Sequence, residues 1–322
     1  MSSARSELQA AWRWRVERGY WNSEIEALRI FHGPGEGTGW LKDIAIEIFG
    51  PYAWVIAWGD LKEAQQKEIA DFLKTIHEWR CQGAAYVARP EKGAAALPVT
   101  FFGEMPRGKI AVWEDKVRIS IGFETRQPGL FLDHAPLRKW LLNHSRGWRV
   151  LNTFSYTGSL SVAAAVGGAT QVVTLDLAKT AVEWAKENWK LNDLPESSAQ
   201  WFQGDALDWM PKWVKRGEKY DCVILDPPSF AHGKKGSFST EKDFKKLCEW
   251  GMQLLNPGGV LVASMNSAKI PQAKIESDCA AIVRSLSGGW QVLSRIDLPE
   301  TFPTFVERPE DRYLKGLILR RI

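Results

Sequence analysis

The run RVLNTFSYTGSLSVAAAVGGATQVVTLD, residues 149–176, decides how the chain is read. Its start, with Trp148 before it, is a short apolar strand, WRVLNTF. A turn holding one glycine leads into SLSVAAAVGGA, a helix with a Gly-Gly stop. QVVTLDL (171–177) is a second strand. The same alternation continues down the chain. AKTAVEWAKENWKLND (178–193) is an amphipathic helix with Ala178, Val182, Ala185 and Trp189 near one face. AQWFQGD (199–205) is a third strand, ALDWMPKWVKRG (206–217) a helix and YDCVILD (220–226) a fourth strand. EKDFKKLCEWGMQLLNPGG (241–259) is a helix closed by Asn-Pro-Gly-Gly, and VLVASMN (260–266) a fifth strand. A helix from Pro271 to about Leu286 comes before two last strands, WQVLSRIDL and RYLKGLILRR. Alternating strands and helices imply a mostly parallel, Rossmann-like α/β sheet covered on both faces. The final two strands lack a full helix between them, which predicts a hairpin and one antiparallel strand.

Residues 1–120 read differently. ALRIFHGPGEGTGWLKDIAIEIFGPYAWVIAW (27–58) is strands joined by glycine turns, LKEAQQKEIADFLKTIHEW (61–79) an amphipathic helix, and GKIAVWEDKVRISIGF (108–123) another strand pair. The expectation is a small N-terminal α/β domain over 1–120 and a larger domain over 121–322. A chain of 322 residues, 45% apolar, has the material for two cores. Its net charge of +4 permits a nucleic-acid partner without demanding one. The 17 tryptophans read mainly as core. Four scattered cysteines (Cys81, Cys222, Cys248, Cys279) form no CxxC pair and no zinc spacing, so no metal is expected and reduced, packed thiols are. With neither a signal-type apolar core nor a membrane-length window, a soluble cytoplasmic protein is the expectation.

Ligands of open parallel sheets bind beyond the carboxyl ends of the strands. The first turn, NTFSYTGS, has only Gly158 where a dinucleotide fingerprint wants GxGxxG, and Tyr156 and Thr157 would crowd a pyrophosphate. That opposes NAD and FAD. A nucleoside without phosphates fits better: Asp176 ends the second strand, placed for two ribose hydroxyls, and Asp205 ends the third, placed for an adenine amine. Asp226 ends the fourth. Acids at successive strand ends are the pattern of an S-adenosylmethionine (SAM) site. Each could instead cap the following helix, and for Asp205 both readings stand.

On these residues the chain resembles the bacterial 23S rRNA large-subunit methyltransferases, from about Gly129 to the C-terminus. The matching stretches are GLFLDHAPLRKWL, LNTFSYTGSLSVAAAVGGA, VTLDLAKTAVEWAKENWKLND, DCVILDPPSF and RYLKGLILRR. The likeness is strongest to the guanine-N7 half of RlmKL, with the cytosine-C5 enzyme RlmI as a relative. FHGPGEGTGWLKDIAIEIFG (31–50) also resembles the small domain ahead of the catalytic domain in the RlmI group. The resemblance implies a class I SAM-dependent methyltransferase sheet. It implies SAM contacts at Gly158, Asp176 and Asp205, with Phe154, Tyr156, Thr157, Leu177 and Ala206 beside them, and makes Asp226 the catalytic-loop acid, also at the cofactor. It carries Arg138, the nearest basic residue after the aspartate of DHAPLRK, over as an RNA contact.

The target atom follows from what the loop holds. Attack at a pyrimidine C5 needs a cysteine thiolate added to the ring first. Neither DPPSF (226–230) nor ASMNS (263–267) holds a cysteine. Guanine N7 already presents an in-plane lone pair, so geometry suffices. An exocyclic amine needs an acceptor for its proton. Asp226, Pro227, Pro228, Phe230 (stacking on the base) and Asn266 are the expected catalytic group. Phe230 stands one residue later than the aromatic in the Asp-Pro-Pro-Tyr pattern of amine methyltransferases, and Asn266 falls where the resembling N7 enzymes have SNN; both favour N7 over the amine. Lys234, Lys235, Lys242 and Lys245 follow the loop and are the expected contacts to ribosomal RNA phosphates.

Overall fold

The computed structural model describes residues 3–22, 25–89, 96–233 and 236–322, with the backbone alone over the described part of 230–241. By internal contacts it divides into two units, residues 1–135 with 299–311, and residues 136–298 with 312–322.

In the first unit, α1 (Ala4–Glu17) starts at Ser3, whose hydroxyl caps the amide of Ser6 at 3.2 Å. Then come β1 (Ala27–His32), the short α2 (Gly33–Glu36), β2 (Ile44–Phe49), β3 (Tyr52–Ala57), α3 (Glu63–Leu73), β4 (Gly83–Ala88) and β5 (Val99–Gly103). These strands form one sheet in chain order, antiparallel except between β3 and β4, where α3 makes the crossover. Leu8, Ile30, Ile46, Val55, Ile69 and Phe72 fill the core. Two charged residues lie inside this sheet. Arg29 donates to Glu47 Oε1 at 2.6 Å and to His32 Nδ1 at 2.9 Å, and burial pushes His32 down to about 2, so it stays a neutral acceptor.

The ribbon β6 (Lys109–Glu114) and β7 (Val117–Gly122) completes this unit. The boundary expected at residue 120 is therefore corrected. Phe123 packs its ring against Phe49, Tyr52 and Trp54, which keeps the stretch after β7 in the first unit. Residues 299–311 also belong there, because Arg15 donates to the Thr301 carbonyl at 2.8 Å and Arg29 lies 4.0 Å over the Phe302 ring.

The second unit runs α4 (Ala135–His144), β8 (Arg149–Thr153), α5 (Ser159–Val166), β9 (Gln171–Asp176), α6 (Lys179–Leu191), β10 (Ala199–Gln203), α7 (Ala206–Lys215) and β11 (Tyr220–Leu225). It continues through β12 (Phe230–Gly233), β13 (Gly236–Ser239), α8 (Thr240–Gln253), β14 (Leu255–Asn266), α9 (Gln272–Val283), β15 (Trp290–Asp297) and β16 (Leu314–Arg321). The sheet order is β10-β9-β8-β11-β14-β16-β15. The first five strands run parallel, and β16 is antiparallel to both its neighbours, as the sequence predicts. From β8 the chain winds outward to β9 and β10, then returns to lay β11 on the other side. The strand order therefore reverses between β8 and β11, and the crevice at their carboxyl ends is where open α/β sheets bind ligands. Beyond β11 the chain forms the antiparallel ribbon β12–β13 where the sequence reads as a loop. Among the described residues no helix is long and apolar enough to cross a membrane.

Candidate active site

Three residues of the turn after β8 adopt left-handed backbone: Phe154 at φ 55°, Tyr156 at φ 49° and Gly158 at φ 74°. For the two aromatic residues this is strained, on the order of 1–3 kcal/mol each, and persists only where the surroundings enforce it. Four hydrogen bonds do so. The amide of Ser155 donates to the Leu175 carbonyl at 3.1 Å, and that of Gly158 to the Ser155 carbonyl at 2.8 Å. Tyr156 N–H donates to Asp176 Oδ2 at 2.8 Å, and Asn188 Nδ2 on α6 to the Thr157 carbonyl at 2.8 Å. Gly158 sits against α6 so closely that a Cβ there would stand 2.7 Å from Ala185 Cβ.

A pyrophosphate loop aims its amides at the ligand. Here the amides of Ser155, Tyr156 and Gly158 already have internal acceptors, so the geometry opposes a dinucleotide for a reason beyond the missing glycines.

Asp176 ends β9, half-buried. Its Oδ1 accepts from the Ala178 amide at 2.9 Å, the counterpart of the Oδ2 bond to Tyr156. Burial raises its carboxyl above the usual range while these backbone bonds oppose the shift. Each carboxylate oxygen accepts more than one bond, so both can still face a pair of ribose hydroxyls. Asp205 caps α7 through the Leu207 amide at 2.9 Å. Just before it, a Cβ on Gly204 would lie 2.3 Å from Trp209 Nε1, so only glycine admits that indole against the backbone. Leu177 is 41% exposed, whereas Thr157 and Ala206 are buried.

Asp226 follows β11, whose Leu225 is in register with Thr153 of β8. The two strands are also tied by Thr153 Oγ1 donating to the Ile224 carbonyl at 2.9 Å. Ser264 on β14 donates to Asp226 Oδ1 at 2.7 Å, and Ser229 donates to the Asn266 carbonyl. The Asp-Pro-Pro-Ser loop is thus fastened to β14 at both ends. Pro227 is buried and Pro228 exposed. Asn266 is exposed at the end of β14.

Sequence reading missed Ser264, Ser229, Asn188 and Gly204. It also missed a buried polar chain under the first turn, in which Asn152 Nδ2 donates to Ser161 Oγ at 2.9 Å and Ser161 Oγ bonds Thr174 Oγ1 at 2.9 Å. Small polar residues within apolar strands and helices were the available signal. Phe230 opens β12, and its backbone alone is described. Lys234 and Lys235 lie outside the described residues, while Lys242 and Lys245 are exposed on α8. Arg138 is corrected: it is 1% exposed on α4, a setting that does not serve an RNA-phosphate contact.

No cysteine stands in the Asp-Pro-Pro-Ser-Phe stretch or at the end of β14. Cys222, Cys248 and Cys279 are buried. Burial raises the Cys222 thiol, and pushes Cys81 up to about 11. Cys248 is raised by its hydrogen bond to Cys279 and by burial.

The site therefore offers a first turn whose amides are already bonded within the protein, a half-buried carboxylate at the end of β9 and an acid beside two prolines at the switch point. Comparison with known proteins agrees. The model of the S-adenosylmethionine-dependent methyltransferase family matches residues 29–320. A ribosomal RNA large subunit methyltransferase I of Aeromonas salmonicida is 30% identical over 80% of this chain and 66% of its own length. A Bacillus subtilis protein named as a candidate ribosomal RNA large subunit methyltransferase, YwbD, is 30% identical over 92% of this chain and 75% of its own. Among solved structures, the candidate methyltransferase SMU.776 in complex with S-adenosylhomocysteine (SAH) superimposes with a TM-score of 0.84 at 25% identity, covering 99% of this chain and 82% of that one. With the matched model spanning both units, the chain belongs to the S-adenosylmethionine-dependent methyltransferase family.

Proposed function

We propose that this chain methylates large-subunit ribosomal RNA, at N7 of a guanine. The observation that carries the choice of atom is the chemistry of the loop after β11. Its acid is held by Ser264, its serine by the Asn266 carbonyl, and no thiol stands at either strand end. Adding a thiolate to a pyrimidine ring needs a reachable, ionisable cysteine, and burial opposes ionisation of Cys222, three residues upstream of Leu225. The names of the Aeromonas and Bacillus relatives support the ribosomal substrate.

Asp176 and the turn around Gly158 would hold SAM by its ribose and its methionine part, and Asp205 would take the adenine amine. The bound cofactor supplies an electrophilic methyl group. The chain's own part is then to orient the base. Guanine N7 carries its lone pair in the ring plane and no proton, so Asp226, Pro228 and the Phe230 position have to fix one base geometry without removing a proton. Pro228, exposed after the acid, would form the lip for a base taken out of its stack.

The test is to incubate purified protein and SAM with rRNA from a strain lacking the gene, then to digest it and weigh the nucleosides. N7-methylguanosine is the expected product. N2-methylguanosine or N6-methyladenosine would move the reading to an exocyclic amine, and 5-methylcytidine would overturn it.

A further inference from the structure

The carboxyl end of β14 carries two polar residues of different standing. Ser264 is fully buried, and its hydroxyl donates to Asp226 Oδ1 at 2.7 Å. Asn266, two residues on, is exposed, and its backbone carbonyl accepts from the Ser229 hydroxyl. The Asn266 side-chain amide makes no hydrogen bond among the described residues. Strand side chains alternate, so Ser264 and Asn266 point to one face of the sheet, the face on which Asp226 meets Ser264. The pairing of β14 with β16 is regular here, Ser264 opposite Gly316 and Asn266 opposite Leu314, so no bulge turns the amide away.

We propose that Asn266 determines base specificity: its amide donates to O6 of an unstacked guanine whose N1–H and N2–H donate to Asp226. The inference rests on the guanine reading above and names how that base is told from adenine.

The spacing suits one base. Leu225 of β11 is in register with Ala263 of β14, which sets Asp226 beside Ser264. Two residues of strand rise about 6.6 Å and paired strands lie about 4.8 Å apart, so the backbones of Asp226 and Asn266 are roughly 8 Å apart. Two short side chains close that separation onto the two ends of a single base edge. The chemistry is complementary as well. A carboxylate only accepts, and its bond from Ser264 leaves it further acceptor positions, whereas an asparagine amide adds the donor that an acid lacks. Guanine presents donors at N1 and N2 beside the acceptor O6. Adenine presents a lone pair at N1, which would face the carboxylate. Bases taken out of the stack are read in this way, by hydrogen bonds to the Watson–Crick edge. That edge leaves N7 on the other side of O6, clear for the methyl group. The Ser229 and Ser264 bonds fasten acid and amide to one strand end, so both are presented together.

The test uses full-length protein saturated with SAH and a short oligouridine carrying one purine at its centre, so that affinity is read without turnover. The guanine probe should bind about 5–150-fold tighter than the adenine probe. A 7-deazaguanine probe, which lacks only N7, should bind like guanine. Asn266→Ala should reduce the guanine-to-adenine ratio about 2–10-fold, the worth of one hydrogen bond, and Asn266→Asp, which sets an acceptor against O6, should reduce it further. A 6-thioguanine probe, a poor acceptor at that position, should bind more weakly than guanine to the parent but equally to Asn266→Ala. Both variants should melt with the parent, since the side chain is exposed and only the backbone carbonyl holds Ser229. An unchanged ratio in both variants would overturn the proposal. So would equal binding of guanine and adenine by the parent, or loss of binding with 7-deazaguanine. If the ratio responds to Asn266 but rRNA yields no N7-methylguanosine, the atom proposed above fails and the base reader stands. If N7-methylguanosine forms while the ratio ignores Asn266, the reader fails and the function stands.

Discussion

Replacing Gly158 by alanine tests whether the first turn is built as its geometry says. The position sits at φ 74°, where an alanine costs roughly 1–2 kcal/mol. Its new methyl would stand 2.7 Å from Ala185 Cβ and 3.3 Å from Ala185 Cα, well inside the ~3.5–4.0 Å carbon contact optimum. Ala185 is fully buried on α6, so the overlap cannot be relieved toward solvent and adds about 1–3 kcal/mol of overpacking. Together Gly158→Ala should destabilise the second unit by about 2–5 kcal/mol, or a melting shift of about 4–20 °C for a domain of this size. Because Gly158 is fastened to Ser155, whose neighbour Tyr156 donates to Asp176, SAH affinity should fall with it. Ala185→Gly separates the two causes. Alone it costs about 1 kcal/mol of helix propensity, but combined with Gly158→Ala it removes the clash and leaves the backbone strain. The double-variant cycle should therefore show a favourable coupling of about 1–3 kcal/mol. Thermal melts and calorimetry with SAH give both numbers. A Gly158→Ala protein that melts within about 1 °C of the parent and binds SAH equally well would refute the reasoning, as would zero coupling to Ala185.

Asp176→Asn should weaken SAH binding about 10–100-fold at neutral pH by calorimetry, because its acceptors lose their charge. Burial raises Asp176, so its own contribution to folding is fully present below its ordinary 3.8 and lost as pH rises through the raised value. SAH binding has the opposite sense, falling on acidification from above pH 3.8, and the Asn variant should flatten that profile. Asp226→Ala should leave SAH binding within a few-fold and, by loosening the base's alignment with the methyl group, reduce single-turnover methyl transfer by at least ~100-fold; unchanged turnover removes it from the mechanism. Glu47→Ala should cost the first unit about 3–5 kcal/mol in urea unfolding, since it leaves the Arg29 guanidinium buried without its carboxylate partner, and a loss under ~1 kcal/mol would refute that.

The parallel sheet was legible because it rests on local pattern: apolar runs of strand length, amphipathic helices and turn residues between them. The strand order that sets its switch point was not. What was not legible depends on partners far along the chain. The boundary at 120 failed because Phe123 is held by rings from β2 and β3, and because 299–311 is claimed by Arg15 and Arg29 nearly three hundred residues earlier. No expectation of a helix attached to WRWRVERGYW. Its buried side includes Arg15, a charge that breaks the apolar stripe and is tolerated only because Glu36 and Thr301 satisfy it. Arg138 illustrates the same blindness in reverse, a basic residue read as surface that the fold buries.

The acids show the limit most clearly. For Asp205 the sequence posed capping and ligand contact as alternatives, and the structure shows why they are compatible. Asp205 caps Leu207, Asp176 bonds two amides and Asp226 takes a serine hydroxyl. A carboxylate has about four acceptor positions, so one or two bonds to the protein do not exhaust it. They fix its direction, which a flexible acid at a strand end would otherwise lack. The left-handed aromatics Phe154 and Tyr156 follow the same logic, since no propensity favours them and Asp176 pins the second of the two. Asp176 therefore holds the first turn in its shape, whatever it also does for the ribose contact proposed for it. Removing it should disturb that turn even in the absence of any cofactor, which hydrogen exchange at the Tyr156 amide would register directly.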